Sequence, residues 1–202
     1  MKNRVLIVVV LLVSFWAPTT HAQKFEISPF AGFHFGGAVT DETGISYDLD
    51  ATASYGVGLE FALSDEARVQ LLWSHQSTGV NRFSYDDDGR VDLDIDYFHV
   101  GTAYVFDPLS RTRPFLGMSI GATRVVSPAD NSSSMYFSFA IGGGVKLLLN
   151  DHIGIRLDGR FFGTYGGSGA FAVGCGSGGC LVGFSGDFLW QGEATVGLVI
   201  GF

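Results

Sequence analysis

The chain has 202 residues, with 12 Lys and Arg against 20 Asp and Glu, a formal charge of −8. That is one domain's length, and its acidity excludes nucleic acid as a partner and simple electrostatic docking on an anionic membrane, since both want clustered Lys and Arg. With 29 Gly and 18 Phe a helical bundle is excluded too, because Gly weakens helices; the composition suits twisted strands, tight turns and a crowded interior.

Residues 1–22 read as a secretory leader. Lys2 and Arg4 make a positive start, residues 5–16 are apolar except for Ser14, and Thr20 and Ala22 are the small residues before a cut at Gln23. The apolar run is too short to span a bilayer easily, and the cut has no Cys for lipoprotein processing. Removing Lys2 and Arg4 leaves 10 basic against 20 acidic residues in the expected mature domain, 23–202, a charge of −10. Beyond residue 22 no apolar stretch is long enough for a transmembrane helix.

The dominant period in the mature chain is two, the period of strands. The first strand, 25–35, turns Phe25, Ile27, Ala31, Phe33 and Phe35 one way and Glu26, Ser28, Gly32 and His34 the other. The second, 51–63, sends Tyr55, Val57, Leu59, Phe61 and Leu63 outward, with Ser54, Gly56, Gly58 and Glu60 inward. The third, 67–77, has Val69, Leu71, Trp73 and His75 outward, and Arg68, Gln70, Ser74 and Gln76 inward. The fourth, 92–106, is ambiguous, because the Asp92, Asp94 and Asp96 face runs on into Phe98, Val100 and Tyr104; a bulge near Tyr97 is expected to resolve it.

The fifth strand, 114–126, turns Leu116, Met118, Ile120 and Ala122 outward. The sixth, 135–149, alternates Phe137, Phe139, Ile141, Val145 and Leu147 with Ser138, Ala140, Gly142, Gly144 and Lys146. The seventh, 152–165, alternates Ile153, Ile155, Leu157, Phe161 and Tyr165 with Arg156, Asp158 and Arg160. The last, 190–202, is the clearest: Trp190, Gly192, Ala194, Val196, Leu198, Ile200 and Phe202 against Gln191, Glu193, Thr195, Gly197, Val199 and Gly201.

The connections alternate in length. Residues 64–66, 107–113 and 150–151 are short; 37–50, 79–91, 127–134 and 166–187 are longer and polar or Gly-rich. All short turns then fall at one end with both termini, the asymmetry of periplasmic turns against extracellular loops. The fold expected is all-β: an eight-stranded antiparallel up-and-down transmembrane barrel. Strands longer than the roughly 9–11 residues that cross a bilayer should project beyond its outer surface.

This pattern resembles the small outer-membrane β-barrel superfamily typified by OmpX and the OmpA transmembrane domain. The resemblance covers Gln23 to Phe202 and rests on the leader, the opening run Phe-Glu-Ile-Ser-Pro-Phe-Ala-Gly (25–32), strands ending in aromatics, and the terminal Gly201-Phe202. Phe202 resembles the C-terminal signal read by the barrel-assembly machinery. The resemblance implies a bacterial outer-membrane location among lipid and lipopolysaccharide, a monomer without cofactor, and loops that meet host or environmental ligands. The chain stops at the barrel, so a wall-binding domain of the OmpA type is not expected.

Glu26, Glu60, Arg68, Lys146, Arg156, Asp158, Arg160 and Glu193 all fall on inward parity. An eight-stranded barrel is just wide enough for side chains, and buried charges must pair, so these eight are expected to form a salt-bridge plug. A gate that switches partners to pass ions is the alternative. Cys175 and Cys180 stand in a Gly-rich loop and, in an exported chain, are expected to form a disulfide. The neighbouring Gly runs have neither the Lys nor the helix of a phosphate loop.

The acidic run Asp86-Asp87-Asp88 followed by Asp92, Asp94 and Asp96 lacks the spacing of an EF-hand and reads as a solvated loop, with weak divalent-cation binding as the alternative. His75-Gln76-Ser77 resembles the His-x-Ser pair of outer-membrane lipid A deacylases, in which His75 would be base and Ser77 nucleophile. It differs in lying on the third strand, in the Thr78 that follows, and in having no evident acid to orient His75. The leading expectation is a non-enzymatic surface barrel; a narrow or gated channel is the second, and a His75/Ser77 lipid A hydrolase the third.

Overall fold

The computed structural model describes residues 25–40, 46–81, 90–127, 132–166, 174–176, 179–181 and 188–202. The expected leader, 1–22, and the acidic residues 86–88 lie outside the described residues. The strands in chain order are β1 (Phe25–Phe35), β2 (Ala38–Thr40), β3 (Ser46–Asp48), β4 (Thr52–Ala62), β5 (Ala67–Asn81), β6 (Arg90–Val105), β7 (Thr112–Ser127), β8 (Ser132–Leu148), β9 (Ile153–Tyr165), β10 (Gly174–Gly176), β11 (Gly179–Leu181) and β12 (Phe188–Gly201).

Eight of these close into an antiparallel barrel in the order β1-β12-β9-β8-β7-β6-β5-β4. The short pairs β2·β3 and β10·β11 sit outside the ring as separate two-stranded ladders. A path across the paired residues runs from Arg124 through Asp96, His75, Tyr55, Ala31, Val196, Leu157 and Val145 and returns to the starting strand at Pro114. The stagger from Arg124 to Pro114 is ten residues, which tilts the strands and sets a bore that side chains fill.

Three tight connections, the first residue of β1 and Phe202 share one rim. In the β8–β9 turn, Asn150 Oδ1 accepts from the His152 and Ile153 amides at 2.9 and 2.7 Å, an Asx turn that spares the connection any further residues. In the β6–β7 turn, Asp107 takes a positive φ of 52° and the Phe106 amide donates to Pro114 O at 2.8 Å. Beside them the Phe202 amide donates to Phe25 O at 2.9 Å and fastens the last residue to the first strand.

The outward faces carry the apolar residues that the alternation predicts. Leu116, Met118, Ile120, Ile141, Val196 and Leu198 are all more than half exposed. Aromatics border this belt at both ends: Phe25, Phe61, Tyr104 and Phe202 near the tight turns, and Tyr55, Phe137, Phe161 and Trp190 toward the long loops. A soluble protein does not expose so continuous an apolar band, whereas a barrel wall in lipid requires one, edged by aromatic girdles. The barrel strands are 11–17 residues long, the longest being β5 to β8, so that side of the wall rises furthest beyond the membrane.

Strand β6 differs from expectation. Its pairing with β5 and β7 is continuous past Tyr97, with no bulge. Leu93, Ile95, Tyr97 and His99 point inward and are buried, while Asp94 and Asp96 share the outward face with Phe98 and Val100. The reason is height. At the raised outer end of the wall the exterior is aqueous and accepts carboxylates, while the interior is closed by an apolar cluster of Leu49, Leu93, Ile95, Val125 and Leu189.

Candidate functional site

The eight inward charges meet in one unbroken chain through the lumen. Arg68 donates to Glu26 Oε1 at 2.6 Å, and Lys146 Nζ bridges Glu26 Oε2 and Glu60 Oε2 at 2.6 and 2.5 Å. Arg156 pairs with Glu60 and, through Nε, with Asp158 Oδ2 at 2.7 Å. Arg160 closes the series, 2.6 Å from Asp158 Oδ2 and 3.1 Å from Glu193 Oε2. Four cations thus face four carboxylates, and all eight are at most 9 % exposed. The alternation of sign lets each charge give up water, because neighbours of opposite charge and hydrogen bonds replace it.

Glycine and aromatic residues make this packing possible. Gly142 and Gly144 share the inward face of β8 with Lys146, and a Cβ at Gly144 would stand 2.8 Å from Asp158 Oδ1. The Arg156 guanidinium lies 4.3 Å from the centre of the Phe115 ring, and that of Arg160 5.3 Å from Phe30, placements that attract a cation to the ring face. The space enclosed beside Gln70, Phe115, Arg156 and Arg160 is about 20 Å³, room for roughly one water.

Above the charges lies a second storey, in which the alternation had turned His34, Ser54, Ser74, Gln76 and Gln191 inward but had not placed Tyr97 and Phe162. Tyr97 and Phe162 stack with ring centres 4.2 Å apart, flanked by His34 and His99 at 5.4 Å from one ring or the other. Tyr97 donates to Gln191, and Gln191 Nε2 lies 3.3 Å from Gln76 Oε1. His34 links the storeys, with Nδ1 2.6 Å from Gln76 Oε1 and Nε2 3.0 Å from Glu193 Oε1. Ser54 and Ser74 also donate to Glu193, at 3.1 and 2.7 Å. Phe162 directly follows the outward Phe161, and Tyr97 precedes the outward Phe98, so adjacent aromatics masked the inward ones. Only closure of the ring sets Tyr97 against Phe162.

The outer wall holds the other sequence candidates. His75 Nδ1 donates to Asp96 Oδ1 at 2.8 Å, and Trp73 Nε1 donates to the same oxygen at 3.3 Å. Ser77 Oγ is 3.3 Å from His75 Nε2 and donates to Asp94 Oδ1 at 2.6 Å. The acid that the local sequence failed to offer His75 therefore comes from the neighbouring strand β6, through the His75–Asp96 register. Among the described residues no group of three or more His, Cys, Asp or Glu could hold a metal ion. In the β10·β11 ladder, Cys175 and Cys180 are directly opposite partners.

A closed antiparallel eight-stranded barrel with a polar, filled bore and an apolar, aromatic-bordered exterior defines the class: a small β-barrel of the bacterial outer-membrane type. Solved structures agree in fold. Neisserial surface protein A superposes with a TM-score of 0.61 at 14% identity, covering 89% of this chain and 97% of that one. The outer membrane protein OprG from Pseudomonas aeruginosa superposes with a TM-score of 0.54 at 13% identity, over 88% and 97%. No protein-family model and no curated protein matches the chain.

Proposed function

We propose that this is a closed outer-membrane barrel that works through its outer loops, reinforcing the membrane and presenting residues 37–50, 79–91, 127–134 and 166–187 to host or environmental surfaces. The observation that carries this reading is the filled bore. The charge chain from Arg68 to Glu193 and the Tyr97–Phe162 stack above it occupy the lumen at two successive levels. A solute path would have to break several buried ion pairs at once, each costly to separate. Loops carried on a rigid scaffold are where binding specificity resides.

In this reading residues 1–22 direct export and are removed, and Phe202 serves the assembly machinery. Cys175 and Cys180 form the bridge that pins the last loop. Membrane lipid and lipopolysaccharide surround a monomer. The test is adhesion of cells displaying the protein to host-cell and matrix surfaces, with and without residues 166–187, alongside conductance of the purified barrel in planar bilayers. Loop-dependent adhesion and a silent bilayer are expected. Steady conductance from the unaltered barrel, with adhesion indifferent to the loop, would replace this reading with transport.

A further inference from the structure

We propose that the outer wall of the barrel carries a serine esterase site, with Ser77 as nucleophile, His75 as its base and Asp96 as the positioning residue, acting on the acyl esters of membrane lipids. This goes beyond the loop reading and does not depend on it.

Three observations converge. First, the three groups stand in the order of a serine triad: Ser77 Oγ lies 3.3 Å from His75 Nε2, and His75 Nδ1 donates to Asp96 Oδ1 at 2.8 Å. The bond to Asp96 fixes the tautomer that leaves Nε2 free to accept a proton. Second, the imidazole is held in place. Tyr55 and Trp73 pack against it with ring centres 5.1 and 6.4 Å away, and Trp73 Nε1 donates to the orienting carboxylate.

Third, an open apolar groove of about 380 Å³ runs down the wall directly beneath, lined by Val57, Leu59, Leu71, Trp73, Phe98 and Val100. These are the two outward rows below the paired His75 and Asp96, so the groove begins about 7 Å from the imidazole at the rise of a strand. A chain seated there is hydrocarbon, and the ester that joins it to a polar headgroup lies at the level of Ser77.

Other groups face this site. Asp94 holds the Ser77 hydroxyl proton at 2.6 Å in the resting arrangement; rotation about the Cβ–Oγ bond turns that proton to Nε2. Arg124 is the β7 partner of Asp96 and exposed, which sets a guanidinium on the same face to offset the two carboxylates and the oxyanion that forms.

In the reaction Ser77 Oγ bonds to the ester carbonyl carbon as His75 Nε2 takes the hydroxyl proton. The C–O bond to the headgroup alcohol breaks, and that oxygen receives the proton from His75. Water then adds to the acyl-serine, again losing its proton to His75. The Ser77 C–O bond breaks, Ser77 regains its proton, and a free fatty acid leaves. Ester and water become acid and alcohol, and the enzyme is regenerated.

The test uses the full-length barrel, purified and reconstituted in two kinds of vesicle, one of phosphatidylethanolamine and one of lipopolysaccharide. Released fatty acid is measured by mass spectrometry, and Ser77 by labelling with a fluorophosphonate. Release in one arm or both identifies the lipid. Ser77→Ala and His75→Gln are expected to lower the rate by about 1,000-fold or more, as loss of a triad member does. His75→Gln should also abolish labelling of Ser77, while both variants keep the heat-modifiable gel migration of a folded barrel. No fatty acid in either arm, or an undiminished rate in Ser77→Ala, overturns the proposal.

Discussion

Lys146 reaches across the full bore of the barrel to Glu60, its Nζ 2.5 Å from Oε2. Their strands, β8 and β4, are four steps apart in either direction around the ring of eight, so this ion pair joins diametrically opposite walls. The same ammonium holds Glu26 at 2.6 Å, which places one cation between two buried carboxylates.

Lys146→Met should therefore be among the most damaging single changes in the bore. It leaves Glu26 with Arg68, and Glu60 with Arg156, but removes the charge that separated the two acids. Breaking a buried pair from one side typically costs about 3–5 kcal/mol. Urea unfolding of the barrel in lipid vesicles measures this. Glu60→Gln added to Lys146→Met should cost less than the sum of the two, with a coupling of at least about 0.5 kcal/mol; strict additivity would mean that the pair does not act as one.

Phe161 and Phe162 are neighbours in sequence with opposite surroundings. Phe161 is 59 % exposed on the wall, and Phe162 is fully buried against Tyr97. Phe162→Ala should lose about 3–5 kcal/mol, since it leaves a cavity in a packed interior. Phe161→Leu should stay under about 1.5 kcal/mol, because fluid lipid adjusts to a changed outer shape. Equal losses in the same vesicle unfolding assay would contradict the assigned facing.

The alternation at Phe161 and Phe162 also marks how far the sequence could be read. Where an inward residue was charged or small and its neighbours apolar, as in β9 from Ile155 to Arg160, parity alone placed every side chain. All eight lumen charges share the inward parity, because a charge on a lipid-facing wall is costly. Parity could not pair them, since pairing depends on a stagger of the ring that no single strand records. In β6 it left the facing open and pointed to a bulge that is absent, for a related reason: above the membrane the rule inverts, and Asp96 faces out while Ile95 faces in. The Asp96 beside His75 was invisible for the same cause, being 21 residues away in sequence and adjacent only through the β5–β6 register.

Cys175 and Cys180 are expected to be oxidised in the exported protein. They pair directly across a two-stranded ladder, and the exported compartment favours the bridge. Mass spectrometry of the unreduced protein should show it lighter by two hydrogens and unreactive toward alkylating reagent until reductant is added. Alkylation of both thiols without reductant would remove the bridge from the account.

Phe202 separates assembly from stability. Its ring is 65 % exposed, with Phe25 6.1 Å away, and its backbone amide, not its side chain, donates to Phe25 O at 2.9 Å. Phe202→Ser keeps that amide, so the purified variant refolded in detergent should match the parent in its urea midpoint to within about 0.5 kcal/mol, as surface changes do. In cells the outcome should differ. If the terminal aromatic is what the assembly machinery recognises, the amount of heat-modifiable barrel in the outer-membrane fraction should fall several-fold while total synthesis is unchanged. Equal amounts of assembled barrel would show that the machinery does not read this residue, and a matching loss in detergent would show that the ring is needed for the fold itself.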